Sequence, residues 1–451
     1  MQSSPTNFPT FLIAVIENLR RKLLDPVFLD RHRGRPEDFT RQRQLTFPLL
    51  MLFILQRTVK SIQRHLSEFL NELSSGQIFE PVTAGAVTHA RAKLKDSAFI
   101  ELNRDCLLPT LYNSERLVRR WRGHRLMGVD SSLIRLPESE ELGEIFGWKE
   151  ASNQHGATGT RYPEARLSVI YDLLNCVGLD CRLEPSTLGE VELAIDQLKH
   201  LQPGDVAIND RGFTGYVYIA LVLKAGAEVI GRCSTGSFAC AQELFRADRA
   251  NQSRIVWLFA PSDQKAACRR LRLPLKMKAR FVSVRLPTGE LEVLVTSLLD
   301  EAAYPTAEFL QVYDFRWGHE TFHLMLKGRL ELENFSGKTI EAVRQDVQAA
   351  VLLANLETLL SEPAQSALEE QRTPESQLLK VNRSNSYHAI KLKLLELLHS
   401  DTPAPVILAK LMVFFQGSPV ATRPERKIKR RPKPSFHRSY HFQRRLKKLV
   451  F

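Results

Sequence analysis

Residues 312–337, VYDFRWGHETFHLMLKGRLELENFSG, carry side chains that fit two different kinds of chemistry. His319, Glu320 and His323 match the pattern H-E-x-x-H, in which two histidines one helical turn apart bind zinc and the glutamate acts as a general base. Alternatively, Glu320 is one ligand of a metal site that is built from carboxylates and acts on phosphate esters. The first interpretation predicts a zinc metalloprotease, and the second predicts an enzyme that cuts DNA.

The second interpretation is favoured by four residues on one side of a predicted helix. At about 100° per residue, Tyr313, Glu320 and Lys327 fall within about 60° of Arg316 if the segment is a single α-helix. A carboxylate between two cations and a phenol suits a phosphate-facing surface, because Arg can bind phosphate bidentately and Lys adds a point charge. An ordinary ion-paired helix surface is the alternative, since Arg316 and Glu320 are an i, i+4 pair.

Two aspartates supply the other carboxylates that such a site needs. Asp130 follows the apolar run LMGV, and Asp210 follows DVAIN, so each is predicted to lie at the end of a strand. Ligands of open α/β folds bind at this rim of the sheet, although strand-end aspartates also cap turns. With Glu320, the two aspartates can hold two Mg²⁺ ions about 3.5–4 Å apart for phosphoryl transfer. Mn²⁺ is expected to substitute.

The zinc interpretation lacks an obvious third protein ligand, which such a site needs. No histidine follows at the metzincin spacing, and Glu341 lies in an ordinary helix pattern. If Glu320 faces a phosphate, the two histidines point about 100° and about 60° to either side of it. A zinc site would also leave Asp130 and Asp210 without a role, so the zinc metalloprotease is the remote alternative.

The positive charge of the chain is concentrated at its C-terminus. Residues 423–451 contain twelve Lys or Arg and one acid, Glu425, which is +11 of the total net charge of +13. Such an arm suits a polyanion, most commonly nucleic acid; a solvated tail with no partner is the alternative. The N-terminus lacks the basic start of a secretory signal, and the apolar run at 45–55 is too short to span a bilayer. We therefore expect no membrane association and a cytoplasmic location.

The pattern of the sequence changes near residue 119. Residues 1 to about 115 read as helical, and VTHARAKLKDSAFIELNRDCL (87–107) is predicted to be one helix. Strand patterns then alternate with two helix patterns, which indicates a mixed α/β domain. Three more strand patterns between about 235 and 300 predict a β-rich insertion, and a further helix is expected to start near residues 304–306.

These patterns predict five parts, namely a helical DNA-binding domain at 1–118, the first part of the α/β core at 119–232, the β-rich insertion at 233–303, the second part of the core at 304–400, and a C-terminal helix with the basic tail at 401–451.

The segments GVDSS, INDRGF and YPTAEFLQVYDFRWGHETFHLMLK together strongly resemble the DDE transposases of bacterial insertion sequences, in particular the insertion-sequence-four family. The signature of that family, Y-(2)-R-(3)-E-(6)-K, is matched without a gap by Tyr313, Arg316, Glu320 and Lys327. RLSVIYDL, THARAKL and VLLANL match as well, so the resemblance covers roughly residues 85–395.

The resemblance implies an α/β fold: a ribonuclease-H-like catalytic core with a β-strand insertion, beside an all-helical N-terminal domain and a basic C-terminal tail. It implies that the metal ligands are Asp130, Asp210 and Glu320, and that the phosphates of the transposon end are held by Tyr313, Arg316 and Lys327. Arg211 and Trp317, which adjoin these residues, are further candidates for contact with DNA.

The resemblance also implies cut-and-paste transposition of an insertion sequence, dependent on two Mg²⁺ ions. Cleavage at the transposon ends is followed by attack of the freed 3′-hydroxyl on target DNA. The implied partners are double-stranded DNA, as terminal inverted repeats and target, and a second copy of the chain in a homodimer on DNA. The implied location is the bacterial cytoplasm, in association with the nucleoid. Two alternatives stay open, a nuclease on the same fold and a repurposed DNA-binding protein without catalysis.

Overall fold

The computed structural model describes residues 9–41, 43–56, 58, 60–74, 82–115, 117–153, 156–371 and 377–422. The chain divides into two compact units. The helical unit comprises the described residues within Met1–Leu117, Ile134–Ala165 and Met325–Phe451, and the sheet unit comprises Val118–Leu133 and Arg166–Leu324. The predicted basic tail lies outside the described residues. The five-part division made from the sequence places its boundaries elsewhere and stays a prediction.

The first part of the helical unit is helical, as its sequence predicts. Its helices are α1 (Thr10–Leu23), α2 (Pro26–His32), α3 (Phe47–Gln56), α4 (Ile62–Ser74), α5 (Ala84–Arg91), α6 (Ser97–Leu102) and α7 (Leu108–Tyr112), with a π-helical turn at Asn103–Leu107. The longest apolar run of the chain forms α3 and is buried along nearly its whole length. No helix in the described part of the chain is long and apolar enough to cross a membrane.

The prediction of one helix over 87–107 is wrong, because the chain leaves the helical path between α5 and α6. Its backbone groups pair there with an earlier segment instead. The carbonyl of Lys93 accepts from the Gly34 N–H at 2.8 Å, and the Lys95 N–H donates to the His32 carbonyl at 2.9 Å. These bonds satisfy the main chain outside a helix, which side-chain periodicity alone does not reveal.

The later part of the helical unit is built around one long helix. Its elements are α8 (Glu140–Phe146), β2 (Trp148–Asn153), α15 (Ile340–Glu370), β10 (Leu379–Lys380), α16 (Arg383–Leu392), α17 (Leu394–Leu398), α18 (Ala404–Gln416) and β11 (Val420–Ala421). Strand β2 pairs antiparallel with the start of β3 (Gly156–Asp172). Helix α15 begins after Thr339, whose hydroxyl accepts from the Ala342 N–H at 3.3 Å, as an N-cap residue should.

A buried ion pair joins α5 to α15 inside the helical unit. Arg91 Nη2 lies 2.9 Å from Asp346 Oδ1, and both side chains are almost fully buried. The same guanidinium donates to Gln345 Oε1 at 2.8 Å and to the Ala342 carbonyl at 2.6 Å. Ser336 donates its N–H to Asp346 Oδ2 at 2.7 Å. Every member of the network therefore has partners, which buried charges require.

The sheet unit contains a mixed sheet in the order β3-β1-β5-β6-β9-β8-β7, with β4 also paired to β3. Its further strands are β1 (Leu126–Arg135), β4 (Val177–Pro185), β5 (Val206–Asn209), β6 (Glu228–Arg232), β7 (Ser253–Phe259), β8 (Lys276–Arg285) and β9 (Leu291–Thr296). Strands β1, β5 and β6 are parallel neighbours, whereas β9, β8 and β7 continue the sheet in antiparallel pairings.

Helices cover this sheet and complete its core. They are α9 (Glu190–Gln197), α10 (Tyr216–Lys224), α11 (Ala239–Ala247), α12 (Lys265–Arg270), α13 (Glu308–Asp314) and α14 (Trp317–Gly328), the last of which ends in the helical unit. The three strand patterns predicted between 235 and 300 are present, but they extend the same sheet beyond β6, and α11 and α12 lie between them.

The expectation of one helix from about residue 304 through Lys327 is wrong in two respects. The helical path starts at Glu308 and is divided into α13 and α14. At the division, the N–H groups of Phe315 and Arg316 donate to carbonyls three residues earlier, at 3.3 and 3.0 Å. The turn is therefore tighter than an α-helix, and it sets the direction of Arg316.

We expect replacement of Asp346 by Asn to lower the free energy of unfolding by about 3 kcal/mol, because it leaves the Arg91 guanidinium buried without its counter-charge. Urea denaturation followed by circular dichroism measures this loss. Glu68→Gln is the matched control, since the Glu68–Arg64 pair is largely exposed and should contribute less than about 1 kcal/mol. Equal losses in the two variants would contradict the proposed importance of the buried network.

Candidate active site

Asp130 and Asp210 occupy equivalent places on neighbouring parallel strands. The last paired residues of β1 and β5 are Gly128 and Ile208, and each aspartate follows two residues later in its strand direction. Asp210 directly follows β5, as predicted. The prediction that Asp130 ends its strand is wrong, because β1 continues past it with β3 as its other neighbour. Both carboxylates nevertheless emerge where β1 and β5 separate.

The Arg316 guanidinium lies between two of the predicted carboxylates. Its Nη1 is 3.1 Å from Glu320 Oε1 and 3.9 Å from Asp210 Oδ2. The Arg316 side chain is only 7% exposed, whereas those of Glu320 and Asp210 are 39% and 46% exposed. Asp210 and Glu320 are therefore partly exposed to solvent, whereas the Arg316 guanidinium between them is buried.

Two aromatic rings hold Arg316 in this position. The guanidinium carbon lies 4.6 Å from the ring centre of Trp317 and 5.6 Å from that of Tyr313, within the range of cation–π attraction. Tyr313 is buried, its hydroxyl lies 3.5 Å from the Asn209 carbonyl at the end of β5, and burial raises its pKa. The contacts among Tyr313, Arg316 and Trp317 therefore hold the turn between α13 and α14 next to Asp210.

The surroundings of the Asp130 carboxyl group disfavour its charged form. Its burial raises its pKa to about 6, and the charges of Glu190 and Glu320 act in the same direction. The Ser131 N–H opposes this shift by donating to Asp130 Oδ1 at 2.8 Å, and Arg316 also opposes it. A carboxylate in such surroundings is stabilised by any cation placed beside it.

His319 approaches Asp130 from α14. Its Nε2 lies 2.9 Å from the Val169 carbonyl, and its Nδ1 lies 3.8 Å from Asp130 Oδ2. Burial lowers the pKa of His319 to about 4, so the imidazole is neutral at neutral pH. Asp130, His319 and His323 each offer one possible metal-ligand atom, and these three atoms all lie within 4.8 Å of one another. No sequence pattern indicates this grouping, because Asp130 is far from the histidines along the chain.

The other predicted site residues are less closely associated. Arg211 is exposed, and its N–H donates to Asp210 Oδ1 at 2.8 Å, while Trp317 is 42% exposed. Lys327 lies in the last turn of α14, in the helical unit, where burial lowers its pKa. Among the described residues, Asp130, Asp210 and Glu320 do not form a group with ligand atoms all within 4.8 Å; Arg316 separates the last two.

Comparison with known proteins adds two observations. A family model described as "Transposase DDE domain" matches residues 121–356, slightly more than half of the chain, and this segment includes both aspartates and Glu320. The cryo-EM structure of a piggyBac transposase synaptic complex with hairpin DNA is similar, with 10% identity, a TM-score of 0.40, and coverage of 90% of this chain and 84% of that chain. No curated protein matches the sequence.

We expect Arg316→Gln to bind Mg²⁺ about fivefold more tightly than the unchanged protein when DNA is absent. The guanidinium occupies the space between Asp210 and Glu320, and removing a charge pair of this exposure is equivalent to roughly 1 kcal/mol. Isothermal titration calorimetry measures the affinity. Arg122→Gln, which removes an exposed Arg paired with Glu308, is the control and should leave it unchanged. An unaltered affinity in Arg316→Gln would show that the guanidinium does not compete with a cation.

Proposed function

The chain belongs to the transposase DDE domain family, and on that premise we propose that it catalyses cut-and-paste transposition of an insertion sequence. In this reaction it cleaves DNA at the transposon ends and then joins the freed 3′-hydroxyls to target DNA. We assign it to the insertion-sequence-four family on the spacing of Tyr313, Arg316, Glu320 and Lys327. We further propose a ribonuclease-H-like core, to which the mixed sheet with parallel β1, β5 and β6 lends support.

One observation carries the proposal. Asp130 and Asp210 lie at equivalent register positions on adjacent parallel strands, and Arg316 connects Asp210 to Glu320. Two acidic side chains from distant parts of the sequence thereby meet at one guanidinium, and the third lies at the equivalent place on the neighbouring strand. An isolated surface ion pair would not need this convergence, whereas metal-assisted phosphoryl transfer does.

The donor set suits divalent cations. Asp130, Asp210 and Glu320 offer carboxylate oxygens, which Mg²⁺ prefers. Burial is the main cause of the raised pKa of Asp130, and a cation beside this carboxyl group would stabilise its charged form. We propose that these residues hold two Mg²⁺ ions, for which Mn²⁺ can substitute. When bound, such ions lower the pKa of the attacking water or 3′-hydroxyl and offset the charge that develops on the leaving oxygen.

The basic and aromatic residues bind and orient the DNA in this proposal. Arg316 exchanges its carboxylate partners for a backbone phosphate, which its planar guanidinium can hold bidentately. Exposed Arg211 and Trp317, and Lys327 further along α14, contact the transposon end. Tyr313 contributes through Arg316, because its hydroxyl is buried against β5.

The substrates follow from the same chemistry. We propose that the chain acts on double-stranded DNA, as terminal inverted repeats and as target, and that it does so as a homodimer that holds two ends together. Its place of action is then the nucleoid in the bacterial cytoplasm. A nuclease on the same fold would cut without joining ends, and a repurposed DNA-binding protein would do neither. A zinc metalloprotease has no support from the family to which the chain belongs.

We expect Glu320→Gln to reduce cleavage of plasmid DNA carrying the ends of its own element by at least about a hundredfold, since loss of one metal ligand removes several kcal/mol of transition-state stabilisation. The assay contains Mg²⁺ and resolves nicked, excised and joined products on gels. Glu308→Gln, an isosteric change on α13 outside the site, should cut as the unchanged protein does.

Comparable cleavage by Glu320→Gln and the unchanged protein would contradict the assignment of Glu320 as a metal ligand. Cleavage without any joined product, under conditions in which ends and target are both present, would favour the nuclease.

A further inference from the structure

Asp130, His319 and His323 form a group of possible metal ligands that uses nitrogen as well as oxygen, with both histidines buried and Asp130 partly exposed. All three belong to the sheet unit. We propose that they bind a first-row transition-metal dication, Mn²⁺ or Zn²⁺, in preference to Mg²⁺. The site shares Asp130 with the proposed catalytic carboxylates, but the inference does not depend on whether the chain transposes DNA.

The tautomer of His319 is fixed by its hydrogen bond to the main chain. The Val169 carbonyl can only accept, so His319 Nε2, at 2.9 Å from it, carries the hydrogen. Nδ1 is therefore the nitrogen with a free lone pair. The residue is 1% exposed, and Nδ1 has no hydrogen-bond donor within the described part of the chain. A buried lone pair without a donor needs a cation or a proton to satisfy it.

Another hydrogen-bond acceptor, a carboxylate oxygen of Asp130, faces the lone pair of His319 Nδ1. Asp130 Oδ2 lies 3.8 Å away, while Asp130 Oδ1 is engaged by the Ser131 N–H. Two acceptors at this separation cannot bond to each other without a shared proton, but they can both bind one ion. Metal–ligand bonds of about 2.0–2.2 Å bridge such a gap after small side-chain rotations.

His323 supplies the third ligand from the next turn of α14. It follows His319 by four residues, so both rings lie on one face of the helix, and their centres are 4.9 Å apart. His323 is buried as well. The H-E-x-x-H pattern thus does place two imidazoles side by side, and the third ligand that the sequence did not disclose is Asp130.

The donor set determines which ion is preferred. Mg²⁺ favours oxygen ligands and water, whereas imidazole nitrogen suits Zn²⁺ and its first-row neighbours, with Mn²⁺ accepting mixed sets. The bond from His319 Nε2 to a backbone carbonyl is the outer-shell contact that metal-binding histidines usually make. It holds the ring so that Nδ1 faces Asp130 before any ion arrives.

Gly128 makes room for this arrangement. A Cβ at this position on β1 would lie 3.3 Å from His319 Cδ2 and 3.1 Å from Leu173 Cδ2, closer than ordinary packing. The absence of a side chain lets the His319 ring approach the strand that carries Asp130. Gly128→Ala therefore keeps all three ligands but should displace one of them.

The test is pulsed electron paramagnetic resonance of the full-length protein loaded with one equivalent of Mn²⁺, without DNA. We expect ¹⁴N modulation from imidazole in the unchanged protein. His319→Ala and His323→Ala should each lose part of it and bind Mn²⁺ at least about tenfold more weakly, with Mg²⁺ affinity altered less. His388→Ala, which removes an exposed histidine of α16, is the control and should behave as the unchanged protein does.

Mn²⁺ bound to the unchanged protein without any ¹⁴N modulation would overturn the inference, whatever the folding state of the variants. Equal loss of Mn²⁺ and Mg²⁺ affinity in both histidine variants would also overturn the claimed preference. Gly128→Ala provides a second variant that retains both imidazoles, and it should weaken Mn²⁺ binding too. Because no DNA is present, these outcomes are separate from success or failure of the cleavage assay.

Discussion

The position of the Arg316 guanidinium, between Asp210 and Glu320, is the interaction on which the candidate site depends. Carboxylates gathered at the edge of a sheet repel one another and lose hydration, so they need positive charge nearby. Arg316 supplies it in the protein alone, from a buried position. Divalent cations would then compete with Arg316 for the carboxylates, and DNA phosphates would compete with the carboxylates for Arg316. We therefore propose two arrangements of the site, one in which Arg316 pairs with Asp210 and Glu320 and one in which metal and DNA replace these pairs.

The surrounding elements serve to bring these charges together. Parallel pairing of β1 with β5 gives Asp130 and Asp210 equivalent places, and the tight turn between α13 and α14 places Arg316 beside them. Tyr313 fixes that turn against the end of β5. On the other side of α14, His319 contacts the Val169 carbonyl on β3. The two consecutive helices are thus attached to two strands of the sheet, α13 to β5 and α14 to β3, and α14 presents Glu320 and the two histidines on different sides.

Much of this was predictable from sequence where local pattern decides structure. The apolar runs before Asp130 and Asp210 revealed β1 and β5, and the Tyr-Arg-Glu-Lys spacing led to the family. Two of the missed features depend on contacts between distant residues, and one lies in a local turn. The helix over 87–107 is interrupted by bonds to Gly34 and His32, and no periodicity encodes them. The division between α13 and α14 comes from three-residue hydrogen bonds around Arg316. The meeting of His319 with Asp130 requires the folded sheet, so the sequence appeared to lack a third metal ligand.

We propose that Asp130, Asp210 and Glu320 bind cations together, and that Arg316 occupies the space between Asp210 and Glu320 in the free protein. The most direct measurement is an anomalous difference map from crystals soaked in Mn²⁺. The account predicts a Mn²⁺ peak within bonding distance of Asp130 and of Asp210 or Glu320, with Arg316 moved away from Glu320. A map with no peak at any of the three carboxylates, and with Arg316 still paired to Glu320, would contradict it.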